Sequence, residues 1–305
     1  MRVLLVSYHY PPDPAVGGLR ATKVAAALQA NGHDVTVMAS SRTDGYRAPR
    51  TEADRQAPGV SIHRITPVPN PRDIYGLLKG RFHRHADSPG PHGASTPSGT
   101  SPAVPAWKRA LFSLLWLPDP MQGFALSVLA AYFTRVRSRP DLVYTTAPPF
   151  STHLAGLVLR SALGIRWAAE FRDPWTDNPW KPRSVRTGFS DAAERWLERR
   201  VLGTADHIVC VSEGIRCGLA GKVPPTLHDR FLVVRNGIDQ LAPAPPPRSA
   251  GAPFRIVHVG TFYHRRDPRP FLTALAAVIR RRALTPADLR VELIGHCRWF
   301  DGVSI

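Results

Sequence analysis

The stretch "RVLLVSYHYPPDPAVGGLRATKVAAALQANGHDVTVMAS", residues 2–40, contains the pattern that decides the fold. A short apolar run opens it, and the Ala-rich spacing that follows predicts a helix over 19–31. Gly32 is expected to close this helix as a C-terminal cap, and "DVTVMAS" (34–40) reads as a second strand. Two strands joined through a helix run parallel, so the stretch predicts one βαβ unit.

The same alternation returns further along the chain. Apolar runs predict strands at 141–147, 165–171 and 206–212, separated by predicted helices over 150–164 and 191–203. Alternating strands and helices favour an α/β fold with a parallel sheet and helices on both of its faces.

Two stretches of biased composition suggest how the chain is divided. Residues 85–105 are rich in Pro, Gly and Ser, which predicts a mobile insert, and the Pro-rich 241–253 has the composition of a linker. We therefore expect one α/β domain over 1–240 and the start of a second over 254–305. The second has little more than fifty residues where a domain usually has about 100 to 150, so we expect it to be incomplete.

Charge limits the classes of partner. Lys and Arg number 40 against 23 Asp and Glu, a formal net charge of +17, which favours phosphates, acidic lipid headgroups or nucleic acid. The positive charge is spread along the chain and no recognised nucleic-acid-binding module is present, so no nucleic-acid partner is expected.

Cysteine usage and hydropathy indicate a cytoplasmic protein. The odd number of cysteines, without ligand-like spacing, predicts neither a disulfide framework nor a metal site: Cys210, Cys217 and Cys297. The N-terminus lacks the features of a signal peptide. The most apolar region, 110–133, is interrupted by Pro118 and Pro120, leaving pieces shorter than the roughly 20 residues that span a bilayer.

The Pro-rich loop and the Gly-Gly pair before the first helix suggest an anion site. Loops at the carboxyl ends of parallel strands collect ligands, and a helix N-terminus offers backbone N–H groups and partial positive charge to a phosphate. Gly17 and Gly18 have no side chains to block such an approach. The alternative is a plain flexible entry to the helix. The dinucleotide, hydrolase, zinc-protease and P-loop motifs are all absent.

Five segments in order resemble retaining glycosyltransferases of the two-domain, Rossmann-like GT-B type, specifically family 4 and its subfamily 4-like N-terminal domain. They are "VSYHYPPDPAVGGLRATKVAAALQANGHDVTVMAS", "RPDLVYTTAPPFSTHLAG", "GIRWAAEFRDPWTDNP", "VVRNGID" and "RIVHVGTFYHRRDPRPFLTAL". The likeness covers nearly the whole chain except the insert at 85–105.

The resemblance implies transfer of a sugar from a nucleotide diphosphate-sugar with retention, without a metal or cofactor. Negative charge on the leaving phosphates must then be neutralised by cationic side chains and helix N-termini. The residues implied in donor and phosphate binding are Gly17, Gly18, Gly260, Thr261, Arg265 and Arg266. Many family members carry an Arg where this chain has Thr261. A solvated charged loop is the alternative for Arg265 and Arg266.

The segment "EFRDPWTDNP" supplies the implied reaction centre. Many members have a His-Asp pair here, whereas this chain has Arg172 and Asp173, which are the catalytic candidates. Trp175 is a candidate for stacking on the acceptor sugar, as is Trp180, with packing as an equal alternative. Asp13 is a candidate for contacting an acceptor hydroxyl, with a capping or turn role as its alternative.

Two further pairs predict structural roles. Ser212 and Glu213 read as a helix N-cap with an acidic first turn, and Asn236-Gly237 reads as a turn.

The resemblance and the charge together suggest a glycan or lipid-linked acceptor and peripheral contact with an anionic membrane, at its inner face. The segment 107–117 suits an interfacial helix, although packing on the first domain is its alternative. The donor-domain glutamate pair of the family has no counterpart in this sequence. The chain is therefore expected to be an incomplete or inactive form, half of a split enzyme whose other half is a separate chain, or a non-catalytic binding module.

Overall fold

The chain forms two compact units, one ending at Gly237 and the other beginning at Ile238. A computed structural model describes residues 1–13, 15–42, 59–69, 113, 117–136, 138–178, 187–238, 251–260, 262, 267–295, 297, 299–300 and 303–304. The predicted insert at 85–105 and most of the predicted linker lie outside the described residues.

The first unit is built on a parallel seven-stranded sheet with the order β3-β2-β1-β4-β5-β6-β7. Its strands are β1 (Arg2–Ser7), β2 (Asp34–Ser40), β3 (Ser61–Ile65), β4 (Leu142–Ala147), β5 (Arg166–Phe171), β6 (His207–Cys210) and β7 (Phe231–Val233). The order reverses direction between β1 and β4, which makes the carboxyl ends of these two strands the switch point where ligands bind in open α/β sheets.

Helices connect these strands. They are α1 (Val16–Ala30), α2 (Gln122–Arg135), α3 (Ser151–Leu163), α4 (Gly188–Thr204) and α5 (Glu213–Ala220), followed by the 3₁₀ helix Pro225–Arg230. No helix among the described residues is both long and apolar enough to cross a membrane.

The first helix begins earlier than its sequence pattern predicts. It starts at Val16 rather than at residue 19, so Gly17 and Gly18 belong to its first turn and not to the preceding loop. Gly32 lies just beyond the helix end with a positive φ of 77°, which confirms its expected capping role.

Apolar side chains cover both faces of the sheet, as a parallel sheet requires. Successive residues of β1 point to opposite faces: Leu4 and Val6 belong to the larger hydrophobic cluster, whereas Leu5 belongs to a smaller one. The smaller cluster includes Ala21 and Ala25 of α1, whose small side chains pack on the sheet.

The second unit repeats the strand-helix-strand pattern. Strand β8 (Phe254–Val259) pairs in parallel with β9 (Leu289–Ile294), and α6 (Arg269–Arg282) lies between them in sequence. A short antiparallel hairpin, β10 (Trp299–Phe300) with β11 (Val303–Ser304), follows.

Candidate functional site

The loop after β1 is held in place by its own buried carboxylate, Asp13, and by the partly buried Arg64 of β3. Asp13 accepts hydrogen bonds from the His9 ring at Nδ1 (2.7 Å) and from the backbone N–H of Ala15 (3.0 Å). Arg64 of β3 donates to the carbonyls of Tyr10 and Pro11. Burial opposes ionisation of Asp13, but these hydrogen bonds and the charge of Arg64 outweigh it and hold the pKa of Asp13 below its usual value. The bond from Ala15 closes a turn two residues long, so the turn role weighed for Asp13 is present, whereas the helix itself has no side-chain cap.

The first turn of α1 is open at its N-terminus. Its N-cap residue, Ala15, has no side chain that could cap the helix, and no acidic residue occupies the first turn. A β-carbon at Gly18 would lie 3.2–3.3 Å from backbone atoms of Tyr10 and His9. Glycine at 18 therefore lets the loop after β1 pack directly on the helix, while its predicted contact with a phosphate remains a prediction.

Arg172 lies on the other side of the helix start. A β-carbon at Gly17 would overlap Nη1 of the Arg172 guanidinium, so the glycine makes room for this side chain. Nε of Arg172 donates to the carbonyl of Ala147 (3.1 Å) and Nη2 donates to that of Pro148. Nη1 is buried and has no hydrogen-bond partner among the residues that the structure describes. The structure thus brings together Gly17 and Arg172, two residues predicted from separate motifs.

The pKa of Arg172 is shifted by its surroundings. Burial lowers the pKa of this guanidinium below the usual arginine value, whereas the carboxylates of Glu170 and Asp173 raise it. Arginine stays protonated in proteins even so. The segment therefore presents a permanent cation with one unused donor beside the start of a helix, a combination suited to an anion.

Beneath the site lies a buried carboxylate that sequence reasoning missed. Glu170 is fully buried at 0% exposure and accepts hydrogen bonds from Arg20 Nε (2.9 Å), Tyr144 Oη (2.7 Å) and Thr146 Oγ1 (2.6 Å). Burial, followed by the charge of Glu170, raises the pKa of Tyr144 well above its usual value, so the phenol stays a donor.

Arg20 extends this network to the segment after β7. Its guanidinium also donates to the carbonyls of Val234 (2.7 Å) and Arg235 (3.2 Å) and to Oδ1 of Asn236 (2.9 Å). Asn236, which the sequence predicts as a turn residue, therefore accepts a hydrogen bond that links the last residues of the first unit to α1. No sequence signal could have paired Arg20 with residues more than two hundred positions away.

Trp175 is buried, with 2% exposure, and stacks on Phe150 at a centroid distance of 5.0 Å and an angle of 8°. The ring of His153 lies 6.5 Å from it, and burial together with the charge of Arg172 lowers the pKa of His153 to about 3. This environment favours the packing role for Trp175 over stacking on a sugar. Trp180 lies outside the described residues.

The loop after β5 is anchored to α4. Glu198, itself buried, accepts hydrogen bonds from Thr176 Oγ1 (2.5 Å) and Lys222 Nζ (2.9 Å). Lys222 also pairs with Asp177 (2.6 Å). These contacts hold the loop that begins with Arg172 and Asp173, so the cation at its start is placed by a fixed framework.

In the second unit, Gly260 directly follows β8. Its φ of 152° is a conformation that side-chain-bearing residues rarely adopt, and its N–H donates to the carbonyl of Ile294 (2.9 Å). The other donor candidates, Thr261, Arg265 and Arg266, lie outside the described residues.

Ser212 has the structural role predicted for it. Its hydroxyl accepts a hydrogen bond from the N–H of Ile215 (3.3 Å), and Glu213 supplies the acidic first turn of α5. This pair is a helix cap and takes no part in the site.

Comparison with solved structures identifies the fold. The chain is similar to the catalytic domain of starch synthase IV from Arabidopsis thaliana bound to ADP and acarbose, with 12% identity and a TM-score of 0.51 over 97% of this chain and 68% of that one. At this identity the likeness concerns the fold, which is the mixed α/β, Rossmann-like fold of GT-B glycosyltransferases.

Sequence comparison then gives the family. Residues 17–237 match the Glycosyl transferase 4-like domain, and the chain belongs to that family of transferases. It is also 30% identical over 125 residues to an alpha-maltose-1-phosphate synthase of Mycolicibacterium smegmatis. That match covers 40% of this chain and 32% of the relative, so the chain spans about a third of the curated protein that it matches.

Proposed function

We propose that this protein transfers a sugar from a nucleotide diphosphate-sugar to an acceptor, with retention at the anomeric carbon and without a metal or cofactor. The family supports sugar transfer in general, and retention follows from the resemblance of its motifs to family 4. The observation that carries the proposal is Arg172, whose buried Nη1 lies against Gly17 at the start of α1 and has no hydrogen-bond partner within the described part of the chain.

The leaving group of such a reaction is a nucleoside diphosphate, which gains negative charge as the bond to the sugar breaks. Preorganised cations and N–H groups stabilise developing charge most effectively where water is excluded. In the first unit, Arg172 and the first turn of α1 would supply them, and Asp173 favours the protonated form of Arg172. In the second unit, the family resemblance implies donor contacts by Gly260, Thr261, Arg265 and Arg266.

The acceptor in this proposal is a glycan or a lipid-linked sugar. A net charge of +17 would attract the protein to an anionic membrane surface, and we place it in the cytoplasm, at the inner face of that membrane. Asp13 is held by His9 and Ala15 in the loop beside the helix start, on the first unit, where the acceptor would bind.

Thermal unfolding of the full chain with UDP, GDP, ADP and their glucose and mannose derivatives tests the proposal. A ligand at about 100 times its Kd adds roughly 2.7 kcal/mol, which raises the Tm by several degrees. Arg172→Met keeps the packing of the aliphatic stem and removes the cation, so it should abolish the shift. Arg199→Ala removes an equal charge from an exposed position on α4 and should preserve it.

Two results would count against the proposal. If no nucleotide raises the Tm, the chain is better described as a non-catalytic binding module or as half of a split enzyme that needs a separate chain. If a nucleotide does so equally in Arg172→Met, then the anion is held elsewhere.

A further inference from the structure

We propose that the outward face of α4 docks on an anionic membrane surface. This α4 outer face consists of Phe189, Arg195, Trp196, Arg199 and Arg200, all of which are exposed. The inference rests on the proposed function for its place beside a membrane. It assigns that contact to a defined set of side chains instead of to the net charge of the whole chain.

Two aromatic side chains of α4 point away from the core. Phe189 is 67% exposed and Trp196 is 60% exposed. They are seven residues apart, which is about two helical turns, so they lie on the same side of the helix. The buried residues of α4, among them Glu194, Glu198 and Val201, lie on the opposite side. A single exposed apolar residue is ordinary, but two aromatic rings in line form an apolar strip that marks a binding surface.

The charges of α4 are divided between its two sides. Arg195, Arg199 and Arg200 are exposed, whereas the carboxylates of Glu194 and Glu198 are buried. Because Arg199 and Arg200 follow Trp196 by three and four residues, they lie beside its ring on the next turn. Exposed aromatic rings flanked by basic side chains are typical of helices that lie in a membrane interface.

The neighbouring helices continue the same surface. Helix α2 packs against α3, α3 packs against α4, and all three contribute to the larger hydrophobic cluster. Helix α2 exposes Leu126 (63%) and Phe133 (68%), again seven residues apart. Helices α2 and α3 contain no acidic residue, and the only acidic residue of α4 that is not buried, Asp191, is partly buried. This layer of helices therefore presents little negative charge that would repel an anionic lipid.

The α4 outer face is formed before any lipid binds. Thr187 caps the helix by accepting from the N–H of Ser190 (3.1 Å), and the Ser190 hydroxyl accepts from the N–H of Thr187 (2.9 Å). Ser113 also lies at this helix start, with its Oγ 3.1 Å from Oγ1 of Thr187. Ser113 belongs to the segment 107–117, and because it is buried, the segment packs on the protein at this position. A surface that is already ordered loses little conformational entropy on binding.

The chemistry of the α4 outer face selects an anionic lipid surface over a second copy of the chain. Arginine binds phosphate through paired N–H groups, and a Trp ring favours the boundary between headgroups and acyl chains. Two copies of this face would bring like charges together, which is unfavourable.

The first test compares charge at two places in the full chain. Sedimentation with phosphatidylcholine vesicles, with and without phosphatidylglycerol, measures the partition coefficient. Each basic residue near an anionic surface contributes about fivefold, so changing the three arginines of the α4 outer face to Gln should lower partitioning by at least about tenfold. The same change in the exposed Arg280–Arg282 of α6 should lower it by less than about threefold. Equal losses in the two variants would overturn the inference, because net charge alone would then explain binding.

The second test removes the aromatic rings at constant charge. Phe189→Ser combined with Trp196→Ser should lower partitioning by at least roughly tenfold, because two large apolar side chains no longer enter the interface. The Tm should stay unchanged, because both side chains are exposed in the folded chain. Phe271→Ser, at an exposed position of α6, should partition as the wild type does. Wild-type partitioning of the double variant would overturn the inference.

The third test places Trp196 in the lipid. Phosphatidylcholine brominated in the upper part of its acyl chains, mixed with phosphatidylglycerol, should quench part of the tryptophan fluorescence of the wild-type chain. Trp196→Phe keeps an aromatic ring, so it should still bind vesicles, but it should lose most of this quenching. Quenching that is equal in wild type and Trp196→Phe would overturn the inference, because another tryptophan would then be the one in contact with lipid.

The two proposals fail in different ways, because binding to vesicles needs neither a donor nor an acceptor. A chain that binds vesicles through the α4 outer face but binds no nucleotide refutes the transfer reaction alone. A chain that binds a nucleotide but no anionic vesicle refutes the role of the α4 outer face alone. Self-association in sedimentation that the double variant abolishes, without binding to vesicles, would assign this face to a second copy and overturn the inference.

Discussion

At the scale of single residues, the Glu170 carboxylate is expected to be important for the stability of the fold. It is fully buried beneath the candidate site and receives hydrogen bonds from Arg20, Tyr144 and Thr146. Taking one partner out of a buried ion pair leaves the other charge uncompensated. The pair of Glu170 with Arg20 therefore contributes less through its own attraction than removal of Glu170 would cost, because the Arg20 charge would be left without a counter-charge.

Glu170→Gln should lower the free energy of unfolding by about 3 kcal/mol, because Arg20 would remain in place without its counter-charge. Urea unfolding at neutral pH measures this change. Asp229→Asn, which removes an equal charge at an exposed position of the 3₁₀ helix, should change stability by no more than about 0.5 kcal/mol. Equal stability of Glu170→Gln and wild type would mean that Arg20 finds another partner.

At the scale of elements, periodicity predicted strands β1, β2, β4, β5 and β6. It did not predict the short strands β3 and β7, the helix α2 or the start of α1. Glycines usually indicate a loop, so the sequence pattern placed the start three residues late. Gly17 and Gly18 are needed in the helix for contacts made from outside it, with Arg172 and with the His9–Tyr10 backbone. Such contacts join segments far apart in sequence, which is also why the bonds of Arg20 to Glu170 and Asn236 were missed.

The two glycines of α1 should respond differently to alanine. In Gly17→Ala the new methyl group meets the far end of a flexible side chain, so stability should change by less than about 1 kcal/mol, helped by the better helix propensity of alanine. Because Arg172 is displaced, the Gly17→Ala variant should lose the donor-induced Tm shift. In Gly18→Ala the methyl meets a loop backbone pinned by Arg64, and we expect a loss of about 1 kcal/mol.

Denaturant unfolding and nucleotide-induced Tm shifts, measured on both variants, separate these effects. Gly17→Ala is expected to be stable and impaired in binding, whereas Gly18→Ala is expected to be less stable. A Gly17→Ala variant that binds nucleotide as wild type does would mean that Arg172 can move aside without loss of the anion site.

At the scale of the whole molecule, the two units differ in how much of their secondary structure is buried. Five of the six residues of β1 are buried, whereas β8, also six residues long, has none, and α6 has no buried residue either. Apolar side chains of β8 that are exposed include Phe254, Val257 and Val259. Burial of apolar surface contributes most of the free energy that favours folding, so the second unit should open more readily.

Hydrogen–deuterium exchange on the full chain tests this difference directly. Amides of β8 and β9 should exchange at least roughly tenfold faster than those of β1 and β4, because opening them exposes little additional apolar surface. Among the described residues, β8 and β9 pair only with each other, so the outer edges of this sheet offer backbone groups to a second copy, which predicts dimerisation at higher concentration. Exchange should therefore be measured at a concentration where sedimentation shows a monomer. Equal protection of β8 and β1 in that monomer would contradict the prediction, whereas protection of β8 that appears only in a dimer would show that a second copy covers this sheet.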